Sequence, residues 1–180
     1  MRPVREIEVV FSSEQIQKRV TNLAIEISRS LGNDFLLVAV LKGSFVFSAD
    51  LIRALHAAGA GPQIDFLTLS SYGTATTSSG HIEVNRDITD QVQGRNILLV
   101  DDILESGRTL SFARNMLVDR GARSVRLCVC LNKIGKRKVE IEADFVGFSC
   151  PNRFVVGYGL DYAHYYRELP YIGALKNIEV

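Results

Sequence analysis

Four consecutive apolar residues, 97–100 (Ile-Leu-Leu-Val), run without a break into two adjacent carboxylates, Asp101 and Asp102, and then through "ILESGRT" into a helical pattern. An apolar run bounded by turn signals reads as a strand buried on both faces, and such strands belong to mostly parallel sheets covered by helices. The carboxylates then stand where the strand leaves the core. After them comes a tight turn of small residues feeding a helix, and a helix N-terminus offers unpaired N–H groups and a partial positive charge. Gly107 allows close backbone approach to an oxygen, Ser106 and Thr109 add hydroxyl donors, and Arg108 either adds charge or points to solvent. The loop has no Walker pattern of glycines and lysine.

A phosphate cradle directly after two carboxylates suits a phosphorylated sugar, the acids accepting charge-assisted hydrogen bonds from vicinal hydroxyls. The plainer alternative is that Asp101 and Asp102 cap the turn or bind water, a common fate of aspartate after a strand.

The rest of the chain repeats the strand and helix alternation. Residues 12–32 read as an amphipathic helix: Ser12 and Gln15 can form a capping box, Ile16, Val20, Leu23, Ile27 and Leu31 share a stripe, and Gly32 is the stop. Strands are expected over 35–41, 63–69, 97–100, 124–131, 144–149 and 154–160, with helices over 44–59 and 109–121. Residues 70–80, nearly all small or polar, read as a loop. The pattern indicates crossover units in an α/β fold, a Rossmann-like, mostly parallel sheet flanked by helices. The closing segment 168–180 carries no clear pattern.

One hundred and eighty residues suffice for one sizeable core, so a single domain over 1–180 is expected. Twenty-one Lys and Arg against twenty Asp and Glu leave a net charge of +1, which excludes a whole-surface electrostatic case for nucleic acid or anionic membrane. No apolar run approaches the roughly 18 residues of a membrane span, and the start of the chain lacks signal-peptide architecture. The protein is expected to be cytoplasmic. Three cysteines argue against a disulfide framework, and Cys128 and Cys130 sit in an apolar run with no metal-ligating partner nearby.

"ILLVDDILESGRT" closely resembles the 5-phosphoribosyl-1-pyrophosphate (PRPP) signature of the type I phosphoribosyltransferases. Four further segments are similar to the hypoxanthine-guanine branch: "LKGSF" at 41–45, "SSYG" at 70–73, the lysine of "CLNKIGKRK", and "DFVGFSCPNRFVVGYGLDYAHYYREL" at 144–169. The resemblance implies a small hood formed by the terminal segments. It also implies an enzyme of purine salvage that moves the phosphoribosyl group from PRPP to N9 of hypoxanthine or guanine, with Mg²⁺, in a homodimer or homotetramer.

By that resemblance Asp101 and Asp102 bind the ribose, with a further implied contact to Mg²⁺, and Ser106, Gly107, Arg108 and Thr109 bind the 5′-phosphate. Lys42, Gly43, Ser71, Tyr72 and Arg167 bind pyrophosphate, and Asp161 serves the Mg²⁺ site. Lys133 donates to the purine O6, Phe154 stacks on the base, and the backbone of Val155 reads its edge. Read without the resemblance, Lys133 is an exposed lysine of a basic loop and Phe154 the start of an apolar strand. A cis peptide is implied between Leu41 and Lys42. The polar loop of about 71–84 is expected to be a flexible flap that closes over the site against water, with a disordered hairpin tip as the alternative.

One residue departs from the pattern. Where the family usually has an aspartate that accepts the N7 proton, this chain has Glu105. Two readings stay open: the glutamate accepts the proton from a shifted position, or solvent takes it while Glu105 orients the ring. Outside the enzyme class, the same fold is compatible with a nucleotide-sensing, RNA-binding regulator, which would want a basic face. A transferase acting on xanthine or adenine is a third reading.

Overall fold

A computed structural model describes residues 5–71 and 82–176. The elements follow in the order β1 (Ile7–Phe11), α1 (Ser13–Leu31), β2 (Leu36–Leu41), α2 (Phe45–Ala57), β3 (Gln63–Ser71), β4 (Ile82–Arg86), β5 (Asn96–Leu104), α3 (Arg108–Asp119), β6 (Ser124–Lys133), β7 (Phe145–Cys150), β8 (Val155–Val156) and β9 (Ile172–Leu175). Six strands form the main sheet in the order β4-β3-β2-β5-β6-β7, parallel except for β4.

Both faces of this sheet are covered, which is why its central strands need no polar alternation. Leu37 and Ala39 of β2, with Leu98 and Val100 of β5, face α1 and α2, whose Val20, Leu23, Ile27, Phe47 and Leu51 close that side. Leu36, Val38 and Val40, with Ile97 and Leu99, face α3 through Leu110, Ala113 and Leu117. All of β2 from Leu36 to Val40 is buried, and each such side chain contributes about 1.5–3 kcal/mol relative to exposure. The α1 boundaries follow the sequence signals. Gln15 N–H donates to Ser12 Oγ at 3.4 Å, Ser12 N–H donates to Gln15 Oε1 at 2.8 Å, and Gly32 turns the chain with φ +70°.

The chain leaves β2 toward β3 on one side and β5 toward β6 on the other. The strand order therefore reverses between β2 and β5, and in sheets of this kind the crevice beyond the carboxyl ends at that reversal is where ligands bind. A second sheet, β1-β9-β8, is antiparallel and joins the two ends of the described chain: Ile7 pairs with Leu175 and Val155 with Ala174. It forms the small hood.

Three expectations need correction. The strand expected over 154–160 is only Val155–Val156, because Gly157, Tyr158 and Gly159 all take positive φ (94°, 51° and 99°) and turn the chain out of the sheet. The loop expected over about 71–84 ends early, since Ile82, Glu83 and Val84 belong to β4, pairing with Ser71, Ser70 and Leu69. Alternation explains this: Val84 packs on the α3-side core while Glu83 faces away. Residues 72–81 of that loop, Tyr72 among them, lie outside the described residues, as does the side chain of Ser71. Strands β1 and β9 were not foreseen, because short hood strands of mixed composition lack a clean period.

One buried carboxylate staples the fold away from the crevice. Asp65 in β3 accepts the N–H of Phe66 at 2.7 Å, of Thr89 at 2.6 Å and of Asp90 at 2.9 Å, and the Thr89 hydroxyl at 3.2 Å. Burial alone disfavours the Asp65 carboxylate, but these donors outweigh it and hold its pKa below the ordinary value. A depressed folded pKa adds stability that is present above the ordinary aspartate range and is lost as pH falls through the folded value. Asp65→Asn should cost about 2 kcal/mol at neutral pH, and urea titrations should show the gap to wild type narrowing in acid; a gap independent of pH would contradict the ionised staple.

Candidate active site

The carboxyl ends of β2 and β5 enclose a cavity of about 300 Å³. Its wall includes Lys42 and Gly43 after β2, Leu69 of β3, Asp101 and Asp102 of β5, then Glu105, Ser106, Gly107 and Thr109. Arg108 opens α3 but is not part of the wall.

Glycine is required here at particular points. Gly107 has φ +81°, and a Cβ on it would lie 2.5 Å from Ile141 Cγ2. A side chain is therefore excluded twice, by conformation and by space, where the turn packs against Ile141 and Val139 as it enters α3. A Cβ on Gly43 would lie 1.7 Å from Asp102 Oδ2, and one on Gly159 would lie 2.2 Å from the Gly43 carbonyl oxygen. Asp102, Gly43 and Gly159 are thus stacked without room for a methyl group. The peptide between Leu41 and Lys42 is cis.

Gly159 brings the next residues to the same place. Arg167 Nη1 donates to the Gly159 carbonyl at 2.5 Å and Nη2 pairs with Asp161 Oδ1 at 2.7 Å. Asp161 Oδ2 accepts the His164 N–H at 2.8 Å. Positive φ values at Tyr158, Ala163, His164 and Tyr166, beside those of Gly157 and Gly159, fold this segment tightly enough to return Arg167 to Gly159.

Lys133, which closes β6, is not part of the wall but meets it through Glu105. It is 3 % exposed, which excludes the reading of a solvated loop lysine. Its Nζ donates to Glu105 Oε1 at 2.9 Å. A buried ammonium needs such a partner, and the pair leaves a donor and an acceptor side by side beyond the phosphate-sized turn.

Asp101 and Asp102 form the electrostatic centre. Asp102 N–H donates to Asp101 Oδ1 at 2.9 Å and Ile103 N–H to Asp102 Oδ1 at 2.9 Å. Burial first, then the neighbouring Asp102 charge, raises the Asp101 carboxyl well above its usual range. Burial also raises Asp102, against hydrogen bonds from Asp101 and Ile103 and the Arg167 charge. Burial and crowding thus disfavour full ionisation of the two acids, Asp101 above all.

Not every residue singled out in the sequence meets at this cavity. Phe154 and Val155 stand on the hood. The Phe154 ring meets Tyr162 edge-on with centroids 5.6 Å apart, and its carbonyl accepts the Leu175 N–H at 2.9 Å. They follow Cys150, whose register partner is Lys133, so the hood reaches toward the Lys133 end of the site. Among the described residues no three His, Cys, Asp or Glu side chains are grouped as a metal site. Residues missed in the sequence are Gly159, hinted at by its spacing from Gly157, and Arg137, which sat unremarked in a basic loop.

The segment 8–163 matches the family model described as the phosphoribosyl transferase domain, and the chain belongs to that family. Within it, the chain is similar to the hypoxanthine-guanine phosphoribosyltransferase of Bacillus subtilis (strain 168), with 45% identity over 170 residues, 94% of this chain and 93% of the relative. It is also similar to the hypoxanthine phosphoribosyltransferase of Escherichia coli (strain K12), at 39% identity over 93% of this chain and 94% of the relative. Among solved structures, a hypoxanthine phosphoribosyltransferase from Staphylococcus aureus superposes with a TM-score of 0.88 at 38% identity, covering 94% of this chain and 91% of the other.

The raised acid pair has a measurable consequence. Ligand hydroxyls donating to both carboxylates favour the ionised form, so binding of ribose 5-phosphate should release a proton. Its affinity should rise with pH above the ordinary carboxylate range of about 4 and level off once the pair is ionised. Calorimetry in buffers of different ionisation enthalpy reads the proton directly; binding with no proton release at any pH would mean that the pair is already fully charged when empty.

Proposed function

We propose that this chain transfers the 5-phosphoribosyl group from PRPP to N9 of hypoxanthine or guanine, giving IMP or GMP and pyrophosphate. The observation that supports this reading is the buried Lys133 paired at 2.9 Å with Glu105, which lines the cavity together with the acid pair and Ser106, Gly107 and Thr109. A fixed ammonium donates to a 6-oxo group and is repelled by a 6-amino group, so adenine is rejected while 6-oxopurines are accepted.

The remaining roles are those that the family resemblance implies. The amides of Ser106, Gly107, Arg108 and Thr109 receive the 5′-phosphate at the α3 N-terminus, and Asp101 and Asp102 accept the ribose hydroxyls. The backbone of Lys42 and Gly43, together with Arg167, receives pyrophosphate; the resemblance adds Ser71 and Tyr72, of which the Ser71 side chain and all of Tyr72 lie outside the described residues. Phe154 stacks on the purine, a contact worth about 1–3 kcal/mol that does not distinguish bases, and the Val155 backbone reads the ring edge. As N9 attacks C1 of the ribose, positive charge builds on the purine, and the Glu105 carboxylate stabilises it and accepts the N7 proton.

The donor set fits Mg²⁺ in a limited way. Hard oxygen ligands are present in Asp101, Asp102 and Asp161, but not as a closed cage, which suits an ion that keeps much of its shell and arrives on a diphosphate. Bound there, it would neutralise charge on the departing pyrophosphate.

The chain acts as one domain in the cytoplasm, as a homodimer or homotetramer. An open groove of mixed polar and apolar lining between α1, α2 and residues 167–170, with Phe45 46% exposed at its edge, offers a face for a second copy. Among the described residues no helix is long and apolar enough to cross a membrane.

Steady-state assays with PRPP and Mg²⁺ against hypoxanthine, guanine, xanthine and adenine should give turnover of the first two and none of adenine. Nucleotide binding without turnover of any base would sink the enzymatic reading. In Glu105→Gln the contact to Lys133 can persist while the proton acceptor is lost. Turnover should fall about 100-fold or more with little change in PRPP binding, whereas unchanged turnover would assign the proton to solvent.

A further inference from the structure

Arg137 lies in the turn after β6, outside the cavity wall, yet its guanidinium reaches acceptors on three separate segments. Nη1 donates to the carbonyls of Leu104 at 2.8 Å and Glu105 at 2.5 Å, and more weakly to Lys133 at 3.4 Å. Nη2 donates to Asn132 Oδ1, and Nε to the Ile141 carbonyl at 3.3 Å. The first two carbonyls belong to the end of β5 and the start of the phosphate turn. Asn132 and Lys133 end β6, and Ile141 belongs to the strap that covers Gly107.

These contacts lie behind the ion pair. The Glu105 and Lys133 side chains meet each other at 2.9 Å on one side, while their backbone carbonyls converge on the same guanidinium nitrogen. Two loops that approach only at their side chains could hinge apart; a common donor on the two carbonyls fixes their separation. A planar fork with five N–H groups can serve this many acceptors, and a lysine, a point charge on a flexible stem, cannot.

We infer that Arg137 is a positioning residue for the purine half of the site: it sets the spacing between the proton-accepting Glu105 and the purine-reading Lys133. The inference rests on the function proposed above and adds a specificity role for a residue that does not itself line the cavity. The phosphate half has its own anchors. Lys138 N–H donates to the Ser106 carbonyl at 2.9 Å, and Ser111 N–H to that of Gly107 at 2.9 Å. Loss of the guanidinium should therefore loosen the purine end and leave the phosphate end in place.

The test separates those ends. Binding of IMP and of ribose 5-phosphate is measured by calorimetry for wild type, Arg137→Gln and Arg137→Lys, together with the KM for hypoxanthine and for PRPP. Arg137→Lys keeps the charge and most of the stem, so it carries the test should Arg137→Gln fold poorly. The expected result for both variants is IMP affinity down by about tenfold or more, ribose 5-phosphate within about twofold of wild type, and a rise in KM confined to the purine. Equal losses for both ligands would reduce Arg137 to general support of the fold. Full activity in Arg137→Lys would show that charge alone suffices, and either result overturns the inference. A wild-type protein that binds ribose 5-phosphate but not IMP would instead overturn the proposed function, and the role of Arg137 with it.

Discussion

Burying both faces of β2 and β5 forces the polar groups of these two strands to their ends. Residues 36–40 of β2 and 97–100 of β5 are enclosed by apolar side chains above and below. A carboxylate placed anywhere along them would need a partner that the core does not contain. At the carboxyl edge, where the connections diverge toward β3 and β6, the backbone itself supplies donors, and there Asp101 and Asp102 are tolerated. They are tolerated at a cost: burial raises both carboxyls, and the neighbouring Asp102 charge raises Asp101 further.

The same crowding accounts for the glycines. Gly43 and Gly159 are small because Asp102 and a neighbouring carbonyl occupy the space where their side chains would be. Through that stack the fold couples segments more than a hundred residues apart, since Gly159 carries the carbonyl that holds Arg167, and Arg167 holds Asp161. The Gly43–Gly159 side of the site is therefore assembled by close backbone approach. The other side is assembled by charge, through Lys133, Glu105 and the guanidinium of Arg137.

Much of this was legible in the sequence because it follows from period and punctuation. The runs at 35–41, 97–100 and 124–131 specified buried parallel strands, Ser12, Gln15 and Gly32 bounded α1, and "ESGRT" marked a turn entering a helix. The acid pair and the phosphate turn could be placed together because they are contiguous in the chain. What could not be read depends on contacts between distant segments. Nothing local distinguishes Arg137 from Lys136 beside it, or tells that Lys133 is buried, because both facts are fixed by where β5 ends relative to β6. The hood strands escaped for a different reason. β1 and β9 are stabilised by each other across the whole length of the chain, so neither carries an autonomous pattern.

Glu105 stands at the meeting point of these two kinds of information. Its presence was plain from the sequence as a departure from an aspartate, with only the extra methylene to suggest a consequence. In the structure that methylene is matched by the position of Lys133, whose Nζ lies within 2.9 Å of the carboxylate while the Glu105 carbonyl remains fixed on Arg137. A shorter side chain on the same backbone would stop about one carbon–carbon bond short of that contact, leaving the buried ammonium to find another partner or to draw the loop inward. The lysine, the carboxylate and the backbone behind them therefore form one connected unit. The position of the Glu105 carboxylate is set by that unit and not by the length of a single side chain.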